Sequence, residues 1–118
     1  MSTQQFVYKI ATEAVFGPAR GTEEFAGMPI DAIDGYMHFS TAEQLRETLR
    51  LHFAGQDGLV LLAVRCADLG NRLVWEPSRG GAFFPHLYGG PLPNAAIAWE
   101  APLSVAADGS CTLPEAVR

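Results

Sequence analysis

The run Leu59-Val60-Leu61-Leu62-Ala63-Val64 is apolar at every position. A half-buried strand alternates and one covered on both sides does not, so this run predicts a central strand. Phe6 to Ile10, rich in aromatic and β-branched residues, predicts the first strand. Leu73 to Glu76 predicts a short one, and Ala95 to Ala101, with Ile97 and Trp99 alternating, another. Leu103 to Val105 and Cys111 to Leu113, around Asp108-Gly109, predict a terminal hairpin. From Tyr36 the pattern alternates again: Tyr36, His38 and Ser40 share one face, Met37 and Phe39 the other.

The period changes after Ser40. Leu45, Thr48, Leu49 and His52 follow helical spacing and predict a helix from Thr41 to about Phe53, with His52 on its inward or boundary side and Gly55 as the stop. Ser40 with Glu43, or Thr41 with Gln44, fits a capping box. Thr12 caps a first turn over Glu13 to Phe16, which Gly17-Pro18 interrupts before helicity resumes through Ala19 and Arg20. Gly27 to Gly35 reads as a connection, ending in an Asp34-Gly35 turn. Ala67 to Asn71 reads as a turn and Pro77 to Gly81 as a mobile loop. Phe83 to Tyr88 reads as a loop with a rigid aromatic tip, of the kind that clamps ligands, though the glycine pairs around it also suit ordinary turns. The fold class is α+β: a small mixed, mainly antiparallel sheet with one main and one short helix, in a single domain over residues 1–118.

Composition narrows the function. The chain is 48% apolar and 18% charged, hence globular rather than disordered. Eight basic against thirteen acidic residues give a net charge of −5 without a basic cluster, which argues against DNA and leaves room for a small polar ligand. Cys66 and Cys111 lack metal or disulfide spacing and read as reduced thiols. The leading MSTQQ has no signal-peptide character and no run reaches the length of a membrane span, so a cytoplasmic protein is expected.

Candidate chemistry centres on the turn–strand–helix junction of residues 34–41. His38, Ser40 and Thr41 stand where a helix start exposes amides and partial positive charge, which suits an anion or polar ligand. Capping by the hydroxyls and a half-buried strand histidine account for the same residues without a ligand. If Glu76 and His86 converge on His38, a carboxylate and two imidazoles are available for acid–base work. His86 bonded to a loop backbone is the structural alternative. Trp75, Phe84 and Tyr88 are core by composition, or walls on which a ligand ring stacks. No H-x-x-H, H-E-x-x-H or H-x-H spacing supports a metal, and none is expected. Ser40 is in no G-x-S-x-G elbow, and Cys66 reads as inert.

Three motifs in order, D-G-Y-M-H-F-S-T-A-E-Q, H-F-A-G-Q-D-G-L-V-L-L and W-E-P-S-R-G-G-A-F-F-P-H-L-Y-G, resemble a bacterial domain-of-unknown-function family numbered nine hundred fifty-two. The resemblance spans about residues 8–99 and leaves 100–118 as an extension. It implies a fold similar to ADP-ribosyltransferases, a group that includes RNA 2′-phosphotransferases acting with NAD. By that resemblance His38, Ser40 and Thr41 match the motif that holds the ribose and nicotinamide of NAD. Tyr88 or Phe84 then stacks on the nicotinamide, and Glu76 or Glu100 stands for the catalytic glutamate. The chain has no Q-x-E or E-x-E pair and no R-H-R-R set. An NAD-dependent transferase and a non-catalytic binding module on the same fold are therefore both expected readings.

Overall fold

In the computed structural model of the protein, residues 4–118 are described, Arg79 by its backbone alone. Met1 to Thr3, most of the MSTQQ segment, lie outside the described residues. The all-apolar run forms β4 (Leu59–Arg65), which lies between β1 (Phe6–Thr12) and β8 (Ile97–Leu103), antiparallel to both. Tyr8, Ile10, Leu59, Leu61 and Ala63 pack on one side against Leu45 and Leu49 of α3 (Ala42–His52). Val7, Ala11, Val60, Leu62 and Val64 pack on the other against Met37, Phe39 and Leu87. Burial on both faces is the physical reason the run does not alternate.

The second wall is another antiparallel sheet, in the order β3 (Met37–His38), β6 (Phe83–Leu87), β5 (Leu73–Pro77). The segment after β3 joins the two sheets. Phe39 N–H donates to Pro85 O at 3.0 Å, and Ser40 then exchanges both backbone hydrogen bonds with Tyr8, at 2.8 and 2.9 Å. A short pair, β2 (Glu24–Phe25) with β7 (Leu92–Pro93), completes the strands among the described residues. Every described pairing is antiparallel, so the expected mixed sheet is corrected to three antiparallel ones.

Two segments read as loops are regular. Residues 27–35 contain α2 (Pro29–Asp34), with proline at its start and Asp31 Oδ2 accepting from Met28 N–H at 2.7 Å. Gly35, at φ 84°, ends it in the left-handed region. Ile30 and Ile33 of this helix face solvent, so no buried stripe marks it in the sequence. The aromatic-proline segment is β6, a middle strand. Pro85 is tolerated there because it falls level with Phe39, just past the end of β3, where only its carbonyl is used.

Elsewhere expectation and structure meet more closely. Thr12 caps α1 (Glu13–Phe16), and a 3-10 turn, Gly17–Ala19, follows at the Gly-Pro. Of the two capping boxes the chain uses Thr41 with Gln44: Thr41 Oγ1 accepts from Gln44 N–H at 3.2 Å and Gln44 Oε1 from Thr41 N–H at 3.0 Å. Thr41→Ala is expected to cost about 1 kcal/mol, read as a lower urea midpoint at unchanged slope. His52, expected on the inward or boundary side of the helix, is exposed. The terminal hairpin is replaced by a turn at Asp108-Gly109, held by Ala106 N–H to Ser110 O at 2.9 Å, with no ladder beyond it. Val105, Cys111, Leu113 and Val117 of this tail pack on the α3 side of the core. Among the described residues no helix is long and apolar enough to cross a membrane.

Candidate functional site

Antiparallel register places His38 of β3 opposite His86 of β6, and His86 opposite Val74 of β5. Side chains alternate along a strand, so Glu76, two residues past Val74, shares their face, with Phe84 as its own cross-strand partner. Leu73 and Trp75 take the opposite face and pack on the core, so Trp75 is not a wall of this site. The convergence proposed for His38, Glu76 and His86 is thus a consequence of strand register.

Tyr36, just before β3, is the hub of the cluster. Its ring centroid lies 4.3 Å from that of His86, 4.7 Å from His38 and 5.2 Å from Tyr88. The two imidazoles are 5.6 Å apart. Beneath this stack His86 is buried, and its Nδ1 lies 2.7 Å from Glu76 Oε1. Tyr88 O–H donates to the same oxygen at 2.7 Å. A carboxylate only accepts, so His86 carries its proton on Nδ1 and its Nε2 accepts when the ring is neutral. The Tyr88 hydrogen bond, with that of His86, holds the Glu76 carboxyl below the usual carboxylate range. The same hydrogen bond to Glu76 pushes the Tyr88 phenol up to about 12.

Behind His38 stands a buried ion pair that sequence reading missed. Lys9, on β1, directs Nζ to Asp31 Oδ2 at 2.8 Å, Asp31 Oδ1 at 3.0 Å and His38 O at 3.0 Å. Asp31 also accepts from the backbone N–H of Met28 and of His38 and lies 2.7 Å from His38 Nδ1. His38 Nε2 meets Asp34 Oδ2 at 2.9 Å. Burial raises the Asp31 pKa, but the His38 hydrogen bond, the Lys9 charge and hydrogen bond, and the Met28 amide outweigh it and leave the carboxyl at about 2. Burial lowers the Lys9 ammonium, with Asp31 pulling the other way. In sequence the only signal was a lysine within an otherwise apolar strand.

Ser40 and Thr41 belong to the helix junction rather than the ring cluster. Ser40 Oγ pairs with Thr48 Oγ1 at 3.2 Å, and Thr41 is the α3 cap. Two groups an anion would use, the Thr41 and Gln44 amides, are satisfied within the capping box. Glu100 lies on β8, bonded to Arg20 at 2.7–3.1 Å, and Arg20 also binds Glu13. That leaves Glu76 as the glutamate at the rings.

Beside Tyr36 a cleft of about 320 Å³ opens between α2 and the Gly89–Pro91 turn, with Asp31, Met37 and Leu87 in its lining. Arg72 fixes the far wall by donating to the carbonyls of Tyr88, Gly90 and Pro91 at 2.8–2.9 Å. Gly89 and Gly90, at φ 86° and 120°, allow that wall its path. A larger recess of about 780 Å³ between the start of α3 and the C-terminal tail has no histidine in its lining. Among the described residues no group of three His, Cys, Asp or Glu side chains is arranged to hold a metal.

Comparison with curated proteins finds no match. The crystal structure of protein CC0527 from Caulobacter crescentus is similar, with a TM-score of 0.83 and 45% identity over 91% of this chain and 93% of that one. A double mutant of CC0527 gives the same TM-score at 44% identity over the same shares. The CC0527 solution NMR structure gives 0.77 at 45% identity over 90% of both chains. Residues 10–100 match the family described as protein of unknown function (DUF952). That stretch runs from within β1 into β8 and includes every ring of the cluster, and the chain belongs to the DUF952 family.

Proposed function

We propose that the protein binds NAD or a related nucleotide against the Tyr36 stack and transfers or removes ADP-ribose there. This reading takes the fold to be ADP-ribosyltransferase-like, as the sequence resemblance implies. The observation that carries it is one cluster with Tyr36 packed against His38, His86 and Tyr88, carboxylates at Asp31, Asp34 and Glu76, and a cleft of about 320 Å³ beside Tyr36. The nicotinamide of oxidised NAD is a flat cation, and aromatic faces backed by carboxylates attract such a ring. When its bond to ribose breaks, neutral nicotinamide leaves with the electron pair and the sugar carbon becomes positive. Glu76 and Asp34 would stabilise that charge, and an imidazole would take the proton of the incoming hydroxyl.

The direct test is thermal unfolding with NAD, ADP-ribose or nicotinamide. A ligand at a hundredfold its dissociation constant adds about 2.7 kcal/mol, a shift of roughly 10 °C for a domain of this size. Tyr36→Ala and His86→Ala are expected to abolish the NAD shift. No shift with any of the three ligands rejects the reading. A non-catalytic binding module is favoured by one observation: Asp31, Asp34 and Glu76 are all engaged by neighbouring protein groups. Nicotinamide release separates the two, because only the enzyme liberates it.

A further inference from the structure

His38 lies between two carboxylates, which compete for one proton whenever its ring is neutral. Its Nδ1 is 2.7 Å from Asp31 Oδ1 and its Nε2 is 2.9 Å from Asp34 Oδ2. A neutral imidazole has one N–H, so it can serve one carboxylate and turns a bare nitrogen to the other. The carboxylates differ in freedom. Asp31 is 4% exposed and held by Lys9 Nζ and by the amides of Met28 and His38, so it cannot turn away. Asp34 is 37% exposed at the end of α2, where water replaces His38 as a partner at little cost.

We infer that Asp31, anchored by Lys9, is a positioning residue that fixes His38 in its Nδ1–H form and reserves Nε2 for a ligand once Asp34 turns away. The proton stays where the acceptor is buried and immobile. Nε2 is then an acceptor, and the ligand it suits offers a hydroxyl donor, as a ribose does. The ligand's identity rests on the nucleotide reading above; the state of the ring does not.

Long-range nitrogen–proton NMR correlation on the histidine-labelled chain reads the tautomer directly, with three histidines to assign. At a pH where the ring is neutral, wild-type His38 is expected to be Nδ1–H, and Asp34→Asn to leave it so. In Lys9→Met/Asp31→Asn, which orphans no buried charge, Nε2–H becomes the major form, drawn by Asp34. NAD affinity of that double variant falls about tenfold, the upper end for one hydrogen bond between neutral groups. An Nε2–H wild type, or a double variant with an unchanged tautomer, overturns the inference. The wild-type spectrum decides even if the double variant does not fold. Failure of NAD to bind wild type sinks the nucleotide reading alone, because the spectra judge the positioning role in either case.

Discussion

Asp31→Ala is expected to lower stability by about 3–5 kcal/mol at neutral pH, the usual cost of leaving one partner of a buried ion pair uncompensated. For this chain length that is a fall in midpoint of roughly 10–20 °C. Lys9 and Asp31 are 3% and 4% exposed, so water does not replace the lost carboxylate. Besides the ammonium, the amides of Met28 and His38 lose an acceptor.

The pH dependence follows from the sign of the shift. Folding takes the Asp31 carboxyl from its ordinary 3.8 down to about 2. Between those values the unfolded chain binds more protons, so acid favours unfolding. The ionised carboxylate contributes about 2 kcal/mol above pH ~4, lost as pH falls through about 2. Urea unfolding of wild type and Asp31→Ala from pH 7 to 2 should show the gap narrowing across that window. A gap below about 1 kcal/mol at pH 7, or one constant with pH, would show that Asp31 is not the buried anion described.

The second large effect is expected at Phe39→Ala, at about 3–5 kcal/mol. Phe39 is 3% exposed in the cluster between the two sheets, and its backbone is the link between β6 and the Ser40–Tyr8 exchange. Truncation leaves a cavity where the strand crosses from one sheet to the other, and collapse is opposed by hydrogen bonds on either side. Lys9 Nζ lies 5.9 Å from the Phe39 ring centroid, so the loss also removes a cation–π contact. Phe39→Leu should recover most of the stability. A loss under about 1.5 kcal/mol for the alanine variant in denaturant unfolding would place this junction outside the core. Phe39 and Asp31 both adjoin Lys9, so their effects should not add.

Much of the architecture is local and was legible. The run 59–64 announces a strand buried on both faces, Thr41 and Gln44 announce the start of α3, and Asp34-Gly35 announces its turn, because each depends on near neighbours in sequence. Alternation over residues 36–40 also put His38 on the face opposite Met37 and Phe39. The candidate site was legible only in its residue types. Tyr36, Asp31, Asp34 and Lys9 went unread as site residues. A six-residue helix with isoleucines in solvent carries no periodic stripe, and a lone lysine in a strand resembles an edge residue.

What the sequence by itself determined is the set of elements whose hydrogen bonds and buried faces are fixed within a few residues. Tertiary structure decided which faces meet. The register of β3, β6 and β5 brought His38, His86 and Glu76 together and turned Trp75 into the core. Packing of α2 against β3 put Asp31 within reach of Lys9 on β1, twenty-two residues away, and made a buried cation tolerable. These contacts join segments far apart in sequence. Their energy exists only once the sheets have closed on a shared core and excluded water from the charges.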